Sequence, residues 1–315
     1  MLMRSLCFDA IPNAKPLGPF AGIALATFFV LAGAAPAAAA CDAFTGVIEA
    51  FNAGDEAKAR SFAETAGTAN CSANERTLVG RVASLATFNR IATEVGNGGK
   101  LSDHQQVLED LQKQYGGPWQ VYDALGDLAR ERKDYEQAAR FYQLALEDGS
   151  NETLTPEWMA PDEQYILRLD KLASEMRLAA PRPVQLAMRG GCKVSFRGVK
   201  IKKKSTPVRY VFGTADFTPE GVEAAKDLAE CLKAVKPASI KLIGHTDPVG
   251  SADANYKLSL ARAETLKSYL YTAGYAGTIT TEGKGEDQPF KPDDASAYDT
   301  ETLNQLHRRV EVDVE

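Results

Sequence analysis

The chain has 315 residues with 36 basic and 42 acidic side chains, which gives a formal net charge of −6. We therefore expect no nucleic-acid binding, because phosphate backbones are bound by clustered positive charge. The three histidines, His104, His245 and His307, do not share a metal-ligand spacing. We accordingly predict no metal site and no cofactor. The length suggests about two domains.

Residues 1–40 have the layout of a secretory signal peptide. Arg4 and Lys15 precede an apolar run over residues 17–31, and the segment ends in small alanines. Signal peptidases cleave after small residues, so we expect cleavage and export. The alternative is an uncleaved membrane anchor, since no charged residue follows Lys15 within the segment; its proline and weakly apolar alanines disfavour a spanning helix.

Four cysteines remain after this cleavage: Cys41, Cys71, Cys192 and Cys231. An even number in an exported chain predicts disulfides, and four cysteines allow three pairings. Joining Cys41 to Cys71 and Cys192 to Cys231 requires no link between domains. In a competing interpretation Cys41 is the lipidated first residue of a lipoprotein, which would leave an odd number of thiols.

Residues 41–180 predict an all-α domain, because apolar residues recur at spacings of three and four. The segment Trp119–Gly126, continued by Tyr135, Ala138 and Tyr142, resembles a tetratricopeptide repeat. A weaker echo precedes it at Asp55, Ala59 and Phe62. One repeat is not stable alone, so we expect further helices to complete an array, at 43–65, 73–95, 103–115 and 157–178. The alternative is an irregular helical bundle without a binding groove.

Two prolines end the helical domain and open a linker over residues 181–199. Residues 200–315 predict alternating elements in the order β-α-β-α-β-β. We place strands at 208–212, 240–244, 278–282 and 310–314, and helices at 219–235 and 251–273. The chain as a whole is therefore predicted as α+β, with a helical-hairpin domain before an α/β sandwich on a mixed sheet.

The second predicted helix carries an arginine on its apolar face. Arg262 lies beside buried positions, and an arginine is almost never buried without an anion. The nearest candidate is Asp247, which follows the preceding strand. Held slightly apart, the two would receive a zwitterion, with the carboxylate binding an ammonium and the guanidinium a carboxylate. A structural ion pair is an equally good interpretation of this pattern.

The segment 244–266 resembles the OmpA-like C-terminal domain in its Gly-His-Thr-Asp, Leu-Ser-x-x-Arg-Ala and flanking motifs. Further matches are Gly-Lys-Gly-Glu at 283–286 and Arg-Arg-Val-Glu at 308–311. The resemblance implies an envelope domain that binds peptidoglycan, with Asp247 and Arg262 holding meso-diaminopimelate. It adds Thr246 and Asn255 to the ligand-binding set, and we place Ser259 and Arg308 at the pocket rim.

Two positions depart from the family pattern. His307 stands where the family usually has asparagine, and Gly213 follows Phe212 where aspartate is common. Both changes affect the expected rim, and neither removes the charged pair.

We therefore expect a non-catalytic periplasmic protein that is associated with peptidoglycan, with outer-membrane association as a further expectation. The helical domain would bind a protein partner. The alternative is an envelope interaction module in which Asp247 and Arg262 form only a structural ion pair. A carboxylate pair for glycan hydrolysis, Asp247 with Asp253, is a weak signal because most acidic pairs are solvated. The basic cluster at 200–209 predicts a solvated face or a contact with anionic polymers.

Overall fold

The computed structural model describes residues 41–65, 70–184 and 195–314. The predicted signal peptide lies outside these ranges. Within them, no helix has both the length and the apolar character needed to span a bilayer. The chain divides into two compact units, one extending to Ala124 and including Asn151–Met159, the other comprising Leu125–Ser150 and the residues from Ala160 onward.

The first unit is helical, as predicted. Its helices are α1 (Asp42–Asn52), α2 (Glu56–Thr65), α3 (Ala73–Gly96), α4 (Gln105–Tyr115) and the first part of α5 (Trp119–Glu131). Local sequence explains where they begin. The hydroxyl of Ser72 accepts the N–H of Glu75 and the Glu75 carboxylate accepts the N–H of Ser72, which is a capping box at the start of α3.

A disulfide joins Cys41 to Cys71, with the two Cα atoms 4.7 Å apart. It ties the residue before α1 to the segment that leads into α3, and it confirms one predicted pair. The two cysteines are 30 positions apart. A disulfide that closes a loop of this length restricts the unfolded chain and so stabilises the folded state by about 3–4 kcal/mol. Cys231 is also disulfide-bonded, whereas Cys192, its predicted partner, lies outside the described residues.

The segment that resembles a tetratricopeptide repeat forms a helical hairpin, with α5 followed by α6 (Tyr135–Gly149). The side chain of Asp134 caps α6 by accepting the N–H of Gln137 at 3.2 Å. A Cβ on Gly126 would lie 2.7 Å from the ring of Tyr142, so the small residue admits the large one between the helices. The Tyr142 hydroxyl then donates to Asp127 at 2.7 Å.

Helices α1 and α2 are built in the same way. Asp55 caps α2 by accepting the N–H of Lys58 at 2.9 Å, Ala59 is buried, and the ring of Phe62 occupies the space that a Cβ on Gly46 would need. The weak sequence echo thus corresponds to a second hairpin with a capping aspartate and an aromatic ring over a glycine. Assignment of either hairpin to the tetratricopeptide family stays a prediction.

The second unit adds α7 (Glu163–Ala179) to a mixed sheet. Strands β1 (Ser195–Phe196) and β2 (Val199–Lys200) form a small hairpin. The main sheet has the order β3-β6-β4-β5, with only β4 and β5 parallel, in strands β3 (Lys203–Thr206), β4 (Ser239–Gly244), β5 (Thr278–Gly283) and β6 (Val310–Val314). Its remaining helices are α8 (Pro219–Val235), α9 (Ala252–Thr272) and α10 (Thr300–His307).

Helices α8 and α9 cover one face of this sheet. Alternate residues of β4, Ile240 and Leu242, point into a core that Leu228 of α8 and Leu266 of α9 fill. On the opposite face Lys241 pairs with Glu282 of the neighbouring strand. Successive side chains of β4 thus point to opposite sides of the sheet, and the predicted α/β sandwich is confirmed.

Two elements of this region differ from the prediction. The first long strand is β3 rather than residues 208–212, where Tyr210 makes a single β-bridge to Phe217. Pro207 explains the break, because proline has no N–H to donate to a ladder. Helix α10 is not among the predicted helices. Asp299 caps it by accepting the N–H of Thr302 at 2.8 Å, and its eight residues are too few to show a clear period.

Candidate functional site

The site lies where the parallel strands β4 and β5 end beneath helix α9. Gly244 and Gly283 are opposite one another in the ladder. A Cβ on Gly244 would lie 2.0 Å from the carbonyl oxygen of Ser259, and one on Gly283 would lie 2.8 Å from its Oγ. Glycine therefore lets the helix pass directly over both strand ends. Ser259 itself is fully buried and accepts the N–H of Gly285 at 2.9 Å, so it supports the loop after β5 rather than the pocket rim.

Asp247 follows the end of β4 and is 4% exposed. The two residues before it are held by backbone hydrogen bonds. The N–H of His245 donates to the carbonyl oxygen of Arg309, and that of Thr246 donates to the carbonyl oxygen of Gly285, each at 2.9 Å. Its Oδ1 accepts the N–H of Val249 at 3.0 Å. Hydrogen bonds that involve only backbone groups of neighbouring residues therefore hold the carboxylate of Asp247 in position.

Asn255 connects this loop to the loop after β5. Its Nδ2 donates to the carbonyl oxygen of Asp247 at 3.3 Å and to the carboxylate of Glu286. Both donations are used within the protein, so Asn255 positions the loops around the site. Thr246 is also buried, and its hydroxyl has no hydrogen-bond partner in the described part of the chain.

Arg262 projects from α9 and is 4% exposed. Its Nε donates to the carbonyl oxygen of Thr214 at 3.0 Å, and its guanidinium lies over the ring of Tyr210 at 5.1 Å. The Tyr210 hydroxyl donates to the carbonyl oxygen of Arg262 at 2.9 Å. Burial lowers the pKa of Arg262 from its usual value, and its two terminal nitrogens make no hydrogen bond to any described residue. They form a rigid fork of unused donors.

Arg308 is the ionic partner of Asp247. Its Nη1 donates to Oδ2 of Asp247 at 2.8 Å, and its Nη2 donates to the carboxylate of Glu301. Among the described residues, no ion pair joins Asp247 to Arg262. The structural ion pair on which the alternative interpretation depended is therefore made by a different arginine.

A cavity of about 400 Å³ opens beside these residues. Its charged lining consists of three arginines and two glutamates: Arg209, Arg262, Arg308, Glu220 and Glu301. Of the residues predicted from sequence, Arg262 and Arg308 line it. Asp247 contacts the cavity only through its partner Arg308, and Thr246, Asn255 and Ser259 are likewise not part of the lining. Arg209 belongs to the basic cluster at 200–209, and no local pattern distinguishes it there from the other basic residues.

Arg209 is held by the end of helix α7. Its two terminal nitrogens donate to the carbonyl oxygens of Ala180 and Pro181, and Pro181 itself lines the cavity. Burial lowers the pKa of Arg209 from its usual value. The last residues of the predicted helical domain therefore form part of the wall of the cavity.

Helix α7 also contacts the segment that leads into α10. The buried carboxylate of Glu175 accepts the hydroxyl of Tyr298 at 2.6 Å and the N–H of Asp293 at 2.9 Å. Leu178 and Ala179 pack against Leu306 of α10. Burial raises the pKa of Glu175. These contacts fix Ala180 and Pro181, and with them Arg209, against the cavity.

Behind the cavity, His245 is buried beside Glu311 of β6. Its Nε2 lies 3.5 Å from a carboxylate oxygen of Glu311, which also pairs with Arg309 at 2.7 Å. Burial lowers the pKa of His245. Burial alone would raise the pKa of Glu311, but the neighbouring His245 and the charge of Arg309 lower it to about 2. In the described ranges, no three His, Cys, Asp or Glu side chains are grouped so as to hold a metal.

Residues 209–301 match the model of the OmpA family. This match confirms the resemblance to the OmpA-like domain that the sequence motifs predicted. The match begins at Arg209, includes all of α8, β4, α9 and β5, and ends within α10.

Curated relatives match the same part of the chain. Outer membrane protein A of Bordetella avium is 32% identical over 104 residues, which are 33% of this chain and 51% of that protein. Outer membrane protein A of Serratia odorifera is 39% identical over 124 residues, covering 36% and 51%. Outer membrane porin F of Pseudomonas fluorescens is 34% identical, covering 37% and 34%. The chain spans about half or less of the length of these relatives.

Solved structures also match about a third of the chain. One is the cell wall anchor of the T6SS from Pseudomonas aeruginosa, at 28% identity and a TM-score of 0.29, covering 36% of this chain and 78% of that one. Another is the peptidoglycan-associated lipoprotein from Burkholderia pseudomallei, at 21% identity and a TM-score of 0.30, covering 36% and 92%.

Proposed function

We propose that the C-terminal domain binds peptidoglycan non-covalently through the 400 Å³ cavity, without catalysing a reaction. The observation that supports this proposal most strongly is the hydrogen bonding of Arg262. Its Nε donates to the carbonyl oxygen of Thr214 and one face of its guanidinium lies over the ring of Tyr210, while both terminal nitrogens are unused in the described structure. Two parallel N–H donors at fixed spacing match the two oxygens of a carboxylate.

The ligand group is the zwitterionic end of meso-diaminopimelate in the stem peptide. Arg262 would bind its carboxylate, and Asp247 would receive its ammonium. An ionised carboxylate offers about four lone-pair positions, and Asp247 uses one for the N–H of Val249 and one for Arg308. Two positions remain, so an ammonium can join Asp247 while Arg308 stays paired.

The protein acts in the cell envelope. The curated relatives are named outer membrane proteins, and one similar structure is named a peptidoglycan-associated lipoprotein. We propose cleavage of residues 1–40, a periplasmic location on peptidoglycan and an outer-membrane association. The helical domain, 41–180, would act as an adaptor for a protein partner, joined through residues 181–199 to the binding domain at 200–315. The repeated hairpin design of α1–α2 and α5–α6 supports the adaptor role.

Sedimentation with insoluble peptidoglycan tests the proposal. The mature chain is compared with Arg262→Gln and with Arg140→Gln, a matched change at an exposed arginine of α6. We expect wild type and Arg140→Gln to sediment and Arg262→Gln to stay in solution with an unchanged circular dichroism spectrum. If wild type stays in solution, or if Arg262→Gln sediments with it, the proposed function is wrong.

A further inference from the structure

The three arginines of the cavity differ in how their charge is balanced. Arg308 has two carboxylate partners, Asp247 and Glu301. Arg209 and Arg262 have none among the described residues, since both donate only to main-chain carbonyl oxygens. A carbonyl satisfies a hydrogen bond but leaves the positive charge uncompensated, and a partly buried charge without a counter-ion is costly.

The remaining anion of the lining, Glu220, acts on Arg209 through its charge but makes no hydrogen bond to it among the described residues. Glu220 lies in the first turn of α8, where the backbone N–H groups and Thr218 lower the pKa of its carboxyl. The start of the helix therefore stabilises the charge of Glu220. No ion pair joins Glu220 to Arg209 in the part of the chain that the structure describes.

Both unbalanced arginines are also held in place before a ligand arrives. Arg262 keeps the four hydrogens of its terminal nitrogens, and Arg209, which has five N–H donors, uses two of them on Ala180 and Pro181. Each can therefore bind a carboxylate without giving up its anchor. A fixed donor loses less conformational entropy on binding than a mobile one.

We propose that the cavity binds a peptide through two carboxylates, one on Arg262 and the second on Arg209. This inference rests on the proposed function and deepens it. A stem peptide such as L-alanyl-γ-D-glutamyl-meso-diaminopimelate carries three carboxylates, so it offers a second one near the diaminopimelate end. Arg209 becomes a specificity-determining residue, and the end of helix α7, which anchors it, takes part in recognition.

Calorimetric titration of the full mature chain tests this inference with three probes. They are this tripeptide, its monoamide at the D-glutamyl carboxylate and its monoamide at the diaminopimelate carboxylate beside the peptide bond, so that each of the two carboxylates not assigned to Arg262 is neutralised in turn. The proteins are wild type, Arg209→Gln, Arg209→Lys, Arg262→Gln and the exposed control Arg140→Gln. Hydrogen bonds to charged groups are worth about 1.5–3 kcal/mol, so we expect Arg209→Gln to weaken tripeptide binding about tenfold or more.

The monoamides separate recognition from structural support. If Arg209 binds a carboxylate, amidating that carboxylate should weaken binding to wild type as much as Arg209→Gln weakens binding of the tripeptide. The affinity for that monoamide should then be the same in wild type and in Arg209→Gln. Arg209→Lys should bind the tripeptide with intermediate affinity. If Arg209→Gln has no effect, or weakens all three probes equally, the inference is wrong while the proposed function stands. If wild type binds none of the probes, both fail.

Discussion

The carboxylate of Asp247 is paired with Arg308, which lies 61 positions along the chain, and not with Arg262 of the adjacent helix. Arg308 follows helix α10 and lies two residues before strand β6, which pairs with β4. The pair thus links the ends of two neighbouring strands at the edge of the cavity. It leaves Arg262 as a guanidinium with unused donors, on which the proposed binding depends.

Loss of the Asp247 charge should reduce both stability and binding. Asp247→Asn keeps the side-chain shape but removes the charged partner of Arg308, so we expect the free energy of unfolding to fall by about 1–3 kcal/mol. The diaminopimelate ammonium also loses its anion, so peptidoglycan sedimentation should fall. Urea unfolding and sedimentation of the same protein measure the two effects.

Asp253→Asn is the matched control for this change. Asp253 pairs with Lys257 on the solvent side of α9, with both side chains more than 70% exposed. Exposed pairs contribute about 0–1 kcal/mol, so neither stability nor binding should change much. Equal losses in the two variants would contradict a special role for Asp247.

Gly244→Ala should be one of the most destabilising single changes in the domain. The added Cβ would lie 2.0 Å from a backbone oxygen of α9, so the helix or the strand must shift rather than a side chain rotate. We expect a loss of about 3 kcal/mol or more in unfolding free energy. Gly96→Ala is the control, since a Cβ there meets nothing within 4 Å. A tolerated Gly244→Ala would mean that α9 does not pass so close to β4.

The buried histidines should make the domain less stable in mild acid. Burial lowers the pKa of both His245 and His307, and the Nδ1 of His307 accepts the N–H of Phe290 at 3.1 Å, which protonation would abolish. A depressed folded-state pKa contributes stability that is present above the unfolded value of about 6.5 and lost as pH falls through the folded value.

Unfolding free energies at pH 7.5 and pH 5 measure this effect. Wild type should lose stability between these values, and the double variant His245→Gln, His307→Gln should lose less. Glu311 does not contribute within this window because its pKa is about 2. Glu175, whose pKa is raised in the folded protein, makes the free energy of unfolding rise as the pH falls. This contribution is the same in wild type and in the double variant. Identical pH dependence of the two proteins would refute the assignment to the histidines.

Much of the C-terminal fold was predictable from local sequence. The helix expected at 219–235 and the strand expected at 310–314 have those bounds in the structure. The helix is marked by a capping threonine followed by Pro219. The strand is marked by a strict alternation of apolar and polar residues. Strand β3 was missed because Lys203 and Lys204 suggested a solvated face. Lysines are common on edge strands, and β3 is at the edge of the sheet.

The sequence predicted part of the candidate site, two of whose expected residues line the cavity, but not its ion pairing. The motifs identified Asp247 and Arg262, since both come from one strand-loop-helix segment. The partnership with Arg308 depends on the register of β6 against β4, which long-range packing determines. Arg209 was not predicted as a site residue because its anchors, Ala180 and Pro181, lie at the boundary that two prolines predicted between the domains.

Tyr298→Phe tests whether α7 packs on the C-terminal domain in solution. Burial raises the pKa of Tyr298, so its hydroxyl keeps its proton and donates to Glu175, which is itself 1% exposed. Removing the hydroxyl leaves a buried carboxylate oxygen without this donor, and we expect a loss of about 1–3 kcal/mol in unfolding free energy. Amide hydrogen exchange over residues 163–179 should become faster as α7 detaches more often.

Tyr256→Phe serves as the matched control, because its ring is 53% exposed and surface changes of this kind are worth about 0.5 kcal/mol or less. If Tyr298→Phe and Tyr256→Phe give the same stability and the same exchange over α7, the helix does not rest on this domain. The anchor of Arg209 would then be lost, and with it the reason for a second carboxylate site. If α7 exchanges its amides more slowly in wild type and in Tyr256→Phe than in Tyr298→Phe, the result supports the coupling between α7 and the cavity.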